Sequence, residues 1–318
     1  MSAGVPDSGT NLTNDHPDGS AAAAVGRAWL AALPAELIAQ RRIMTGLLDY
    51  CEATPAATAL LVGCSLGRGA ADALSDVDAA LGVHADPGEA GAAQVQAVAA
   101  GVVAALPGLG SVVDVLRHRY GPADRFILRI FGQFADRSQL DLTVMADAEI
   151  RRGSSAAHPD FVRLYDTADQ PDKPIPADAR EAAEPDPAYA VTGEQVREWA
   201  FLGWCALIDV DKYLRRGSLW EAHTRLHQAR ERIWALWAAA VGALYPWHGL
   251  SQVLDHDPRN LPPGIHATVA GLDATGLRRA AGASSGVLTE VSAAAARRCP
   301  AELPAAMADY VTRVLSAP

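Results

Sequence analysis

Cysteine is scarce: Cys51, Cys64, Cys205 and Cys299 are the four in 318 residues, and no two of them form a C-x-x-C pair. That argues against a zinc knuckle or a disulfide framework and suits a reducing compartment. Long apolar runs are missing as well. None approaches the roughly 20 residues that span a bilayer, and no basic stretch leads into an apolar core at the N-terminus. The expectation is a cytoplasmic protein with no membrane partner. Basic excess is the third absence, since the net charge is −10. Residues 1–170 carry 12 basic and 20 acidic side chains (net −8), and residues 171–318 carry 15 and 17 (net −2). A phosphate backbone wants the opposite sign, so no nucleic-acid partner is expected.

What is present is ordinary for a globular chain: 50% hydrophobic and 20% charged residues. The length suits two domains. Residues 1–22 mix Ser, Gly, Asp, Asn and Pro and read as a disordered tail. From Trp29 to Tyr50 apolar residues recur at helical spacing, with Pro34 suited to an early helical position.

The most informative stretch is Leu60 to Val83, an apolar run, a small glycine-rich turn and a second apolar run, which reads as strand, turn, strand. On a strand, residues i and i+2 face the same way, so Asp76 and Asp78 aim two carboxylates at one place. Adjacent anions repel, and a hard divalent cation is the usual reason to keep them together. The turn offers the Ser65 hydroxyl, the Arg68 side chain and main-chain amides expected to be freed by Gly67 and Gly69, which suits a polyphosphate. The plain alternative is a turn or cap, where Ser-Asp-x-Asp is common.

Ser65, Gly69, Ser75, Asp76 and Asp78 fall in the spacing S-x-x-x-G-x-x-x-x-x-S-D-x-D. Here the chain resembles the nucleotidyltransferase superfamily of the DNA polymerase beta type, in the form shared by small antibiotic-modifying members. The resemblance covers about residues 57–169, weakly outside the motifs. One departure is Cys64, which stands where the family usually has glycine before the serine.

After a predicted crossover helix over 92–106, ended by Pro107-Gly108, strands are predicted at 112–116, 126–131 and 140–145, with a last one at 161–166. Asp141 interrupts the apolar run of the third of these, and a charge on a buried strand asks for a partner. The resemblance implies that it is the third metal carboxylate; pairing with Arg129 or Arg137 is the plain alternative. Residues 171–190 read as a linker.

From 191 onward the pattern turns helical, with two antiparallel helices joined at Arg216-Gly217-Ser218 and further helices over 285–298 and 304–315. Ser218 and Glu221 form the pattern of a capping box; Glu221 as a catalytic base is the competing reading. His223 and His227 stand one turn apart but lack a third metal ligand. Five tryptophans, Trp199, Trp204, Trp220, Trp234 and Trp237, fit core packing or the wall of a pocket. Lys212 and Arg215 are solvated by default or available to phosphate.

The fold expected is α+β: a nucleotidyltransferase domain over 23–170 with a short mixed sheet, then an all-α domain over 191–318. The resemblance implies transfer of a nucleoside monophosphate, AMP from ATP, to a hydroxyl of a small molecule held between the domains. Asp76, Asp78 and Asp141 would hold Mg²⁺, and Ser65, Gly67, Arg68, Gly69 and Ser75 the triphosphate. A non-catalytic nucleotide-binding regulatory module of the same fold is the alternative.

Overall fold

The computed structural model describes residues 19–86, 88–120, 126–153, 161–167 and 190–316. The chain divides into two compact units, residues 1–184 and 185–318. Most of the expected tail, and the expected linker up to residue 189, lie outside the described residues.

The first unit opens with α1 (Gly19–Ala32) and α2 (Ile38–Ala53), so residues 19–22 of the expected tail are helical. Two helices replace the single one expected over 29–50. The break falls at residues 33–37, with Pro34 inside it and not in a first helical turn. Arg41 pins the break by donating to the carbonyls of Leu30 (3.1 Å) and Leu33 (2.5 Å). These bonds satisfy C-terminal carbonyls that α1 cannot pair internally.

Strands β1 (Ala57–Val62) and β2 (Val77–Val83) are separated by a one-turn helix, α3 (Cys64–Arg68), where a plain turn is expected. Then come α4 (Glu89–Leu109), β3 (Val112–Tyr120), β4 (Ile127–Phe134), β5 (Gln139–Ala146), α5 (Asp147–Gly153) and β6 (Val162–Asp166). The sheet is mixed, in the order β3-β4-β5-β2-β1-β6. Its one parallel pair is β2 with β5; the other neighbours are antiparallel.

Alternation along the strands sets the two faces of the sheet. Val77, Ala79 and Leu81 of β2, Leu140, Leu142 and Val144 of β5, and Leu128 and Ile130 of β4 are buried in one core with α2 and α4. The opposite face carries Asp78, Asp141, Arg129 and Phe131, all partly exposed. At the far end of β2 that face is closed by Ile150 of α5 against Ala59 and Leu61. Around Asp78, at the start of the strand, it is less closed.

Helix α4 corrects two expectations. It continues through Pro107 to Leu109, because proline in a last turn sacrifices only its own amide bond. It is also, among the described residues, the one helix long and apolar enough to cross a membrane (mean hydropathy 1.5). In this fold its stripe of Val95, Val98, Ala99, Val102 and Leu106 is buried in the core of the first unit.

The second unit is helical: α6 (Gly193–Arg215), α7 (Leu219–Val241), α8 (Leu250–His256), α9 (Ala274–Arg298) and α10 (Ala305–Ser316), with 3-10 turns at Pro246–His248 and Ile265–Thr268. Helix α9 begins eleven residues before the expected Ser285 start. Asp273 caps it, accepting from the Gly276 amide (2.7 Å). Ser218 makes no side-chain cap, so the capping box expected with Glu221 does not form. A capping box forms instead at Thr192 and Gln195. The core gathers Trp204, Leu207, Ile233, Leu236, Leu277 and Leu288, all buried.

Candidate active site

The site is built around the end of β1 and the start of β2. Gly63 leads into α3, and its amide donates to the Asp78 carbonyl (2.9 Å), tying the two strands at the mouth of the site. A Cβ at residue 63 would stand 2.7 Å from the Phe161 ring, so glycine lets that ring lie against the turn and a side chain would displace it. Leu66 anchors α3 in the core, a burial worth about 2 kcal/mol. The helix ends at Gly69, in the left-handed region at φ +73°.

Two details differ from expectation. The amides of Gly67 and Gly69 are not freed: they donate to the carbonyls of Gly63 (3.0 Å) and Leu66 (3.1 Å) and close the helical turn. The Ser65 hydroxyl and Arg68 side chain remain on α3. Ser75 is also occupied, since its hydroxyl accepts from the Asp72 amide (3.0 Å) and lies 3.2 Å from the Asp72 carboxylate. Ser75 therefore shapes the loop ahead of the carboxylates.

Gln40 holds that loop from behind. It sits on the buried face of α2 and is 1% exposed. Its Nε2 donates to the Ser75 carbonyl (2.6 Å) and lies within reach of the carbonyls of Ala73 (3.4 Å) and Asp72 (3.5 Å). A buried amide in this role has few substitutes, because it must donate in the core to carbonyls from another element. The signal for it is a polar residue at the helical spacing of Gln40, Ile43 or Met44, Leu47 and Cys51.

Asp76 is exposed and immediately precedes β2, while Asp78 lies one residue inside the strand. Asp141 is the register partner of Asp78 across the parallel pair, so their Cα atoms lie about 4.8 Å apart. Asp78 thus has an acidic neighbour on each side. Its carboxyl is pushed up to about 6, mainly by burial and next by the negative charge of Asp76. Asp141 adds to the rise, and a hydrogen bond from the Cys64 thiol and the charge of Arg129 oppose it.

Asp141 is not idle. Arg129, from β4, grips it with two parallel hydrogen bonds, one from Nε to Oδ1 at 2.8 Å and the other from Nη2 to Oδ2. The guanidinium also lies over the Phe131 ring, 4.5 Å from its centre. Phe131 faces Asp141 across the β4–β5 pair and stacks with His118 of β3 at 5.9 Å. A carboxylate held by one arginine keeps further lone pairs, so Asp141 can accept a cation as well as Arg129.

Cys64 completes the group. It is exposed, its thiol meets Asp78, and its φ is +51°. A side chain in the left-handed region costs about 1–2 kcal/mol, a cost that glycine avoids.

The site thus brings two carboxylates into register, Asp78 and Asp141, with Asp76 just before the strand, and burial first and then Asp76 disfavour the charged form of Asp78. Among the described residues no group of three or more His, Cys, Asp or Glu side chains stands close enough together to hold a metal ion as the side chains lie. Glu221 is exposed in α7. Lys212 and Arg215 pair with Asp209 and Asp211 on their own helix. His227 lies 3.6 Å from Glu231.

No family model and no curated protein sequence matches the chain. By structure it is similar to an aminoglycoside 6-adenyltransferase from Bacillus subtilis, at 14% identity and a TM-score of 0.34, over 87% of this chain and 97% of that one. Similarity at that level leaves the functional reading to the residues themselves.

Proposed function

We propose that this chain is a nucleotidyltransferase that moves a nucleoside monophosphate, AMP from ATP, onto a hydroxyl of a small molecule. The observation that carries the reading is Asp78, flanked by Asp76 in sequence and by Asp141 in register, with its carboxyl raised to about 6. Asp76 and Asp78 are the proposed shared ligands of two Mg²⁺ ions, and Asp141 a ligand of one. The ions would supply charge neutralisation at the α-phosphate and acidify the attacking hydroxyl.

The residues have the remaining work. Ser65 and Arg68, carried on α3, orient the triphosphate, while Gly67 and Gly69 close the turn that presents them. Ser75 and Gln40 hold the loop that sets Asp76. The acceptor oxygen bonds to the α-phosphorus, the bond to the β-phosphate bridging oxygen breaks, and pyrophosphate leaves. The hydroxyl proton passes to Asp141, which Arg129 holds in place. The net charge of −8 in residues 1–170 supports a neutral or cationic acceptor over a nucleic-acid end.

A second reading has its own observation. Arg129 engages both oxygens of Asp141, and a regulatory module that binds nucleotide without turnover suits such a grip. Incubation with ATP labelled at the α-phosphate, Mg²⁺, and a panel of aminoglycosides, lincosamides and tRNA separates these outcomes. Label on a small molecule with matching pyrophosphate supports transfer. Bound ATP with no product supports the module, and label on tRNA alone overturns the small-molecule reading.

A further inference from the structure

The second unit contains a cavity of about 590 Å³ lined by its own residues. That volume lies within the roughly 300–1,000 Å³ of small-molecule sites. Three tryptophans from three elements line it: Trp199 of α6, Trp234 of α7 and Trp247 of the 3-10 turn Pro246–His248. Trp199 is buried and Trp247 is 42% exposed, so the wall runs from the core to the opening. The turn closes back on α7 at Gly249, where φ is +51° and a Cβ would stand 3.1 Å from the Trp234 Cβ. Glycine at 249 is what lets Trp247 approach.

The polar lining is unusual for so acidic a chain. Arg230 projects from α7 and is partly buried. Its Nη1 donates to the Thr268 carbonyl at 2.8 Å, and its Nη2 lies 3.4 Å from His227 Nδ1. Among the described residues it has no carboxylate partner. Glu231, the carboxylate of the lining, is 3.6 Å from His227 instead. Burial works against the guanidinium charge, and an anion is what would compensate it.

We propose that this cavity binds a flat aromatic molecule carrying one anionic group, its ring against the tryptophans and its anion on Arg230. Tryptophan faces suit a planar apolar ring, and a guanidinium donates paired hydrogen bonds to a carboxylate or a phosphate. A neutral ring would leave Arg230 uncompensated, and a cationic one would be repelled. The proposal is independent of nucleotidyl transfer.

Calorimetric titration with three probes of one size tests it: 2-naphthoate, 2-naphthalenemethanol and 2-naphthylmethylamine. The parent protein should bind the acid at least about tenfold tighter than the alcohol, the usual gain of a charge-assisted contact, and the amine most weakly. Arg230→Gln should erase the preference while leaving the alcohol within about twofold. Trp247→Ala, at an exposed position, should weaken all three. Equal binding of acid and alcohol by the parent protein, binding of none at millimolar concentration, or a preference that survives Arg230→Gln would overturn the proposal.

Discussion

Replacing Asp78 with Asn removes a proposed metal ligand, yet the structure predicts that the metal-free protein becomes more stable. Burial and the neighbouring Asp76 push the carboxyl up to about 6 in the fold from an ordinary value of 3.8, so folding favours its protonated form. The sign follows from linkage: the folded state holds the extra proton between these two values, and stability from this group is full below about pH 4 and lost as pH rises through about 6. The difference corresponds to at most about 3 kcal/mol, and solvent screening at the partly open site halves it to ~1.5 kcal/mol. For a unit of this size the expected gain in Tm is about 3–6 °C at neutral pH. Thermal melts of parent and Asp78→Asn in EDTA, from about pH 4 to pH 8, give the comparison. The advantage of the variant should be small at the acid end and grow through about pH 6. An advantage that does not change with pH, or a variant less stable than the parent at pH 8, would refute the electrostatic account of the cluster.

Asp141→Asn should do the reverse, lowering stability by about 1–3 kcal/mol, because it breaks the bidentate pair with Arg129; chemical denaturation beside Asp78→Asn reads the contrast. Cys64→Gly should raise stability by about 1 kcal/mol through relief of a left-handed side chain, and should preserve or tighten MgATP binding as measured by calorimetry. Gln40→Met should cost about 1–3 kcal/mol and weaken nucleotide binding, since it releases the loop before Asp76; calorimetry on the folded variant checks the second half. Cys64 is the exposed one of the four cysteines, so maleimide should label it first, and MgATP should slow that labelling.

Strand positions were legible as apolar runs bounded by turn residues, and Asp141 was conspicuous as a charge inside one of them; its place beside the Asp78 strand came from the family resemblance. The boundary between α1 and α2 was not, because Arg41 fixes it by side-chain bonds that leave no periodic trace. The Ser65–Gly69 turn showed its glycines, but their amides serve the helix. Gly69 suits a positive φ, and Gly63 leaves room for the Phe161 ring. Arg129 was legible as a possible partner of Asp141; that it takes both oxygens depends on register across two strand pairs, which spacing does not reveal. The cavity of the second unit needs residues from three separate elements, and Trp247 lies outside the helical pattern that exposed the other tryptophans.

The central claim is that Asp76, Asp78 and Asp141 form one divalent-cation site. Titration of the protein with Mn²⁺, followed by loss of the free-ion electron paramagnetic resonance signal with and without ATP, tests it without requiring turnover. The account predicts binding that tightens with ATP, competes with Mg²⁺, and weakens at least about tenfold in both Asp78→Asn and Asp141→Asn. Mn²⁺ binding of equal strength in parent and Asp78→Asn would contradict it.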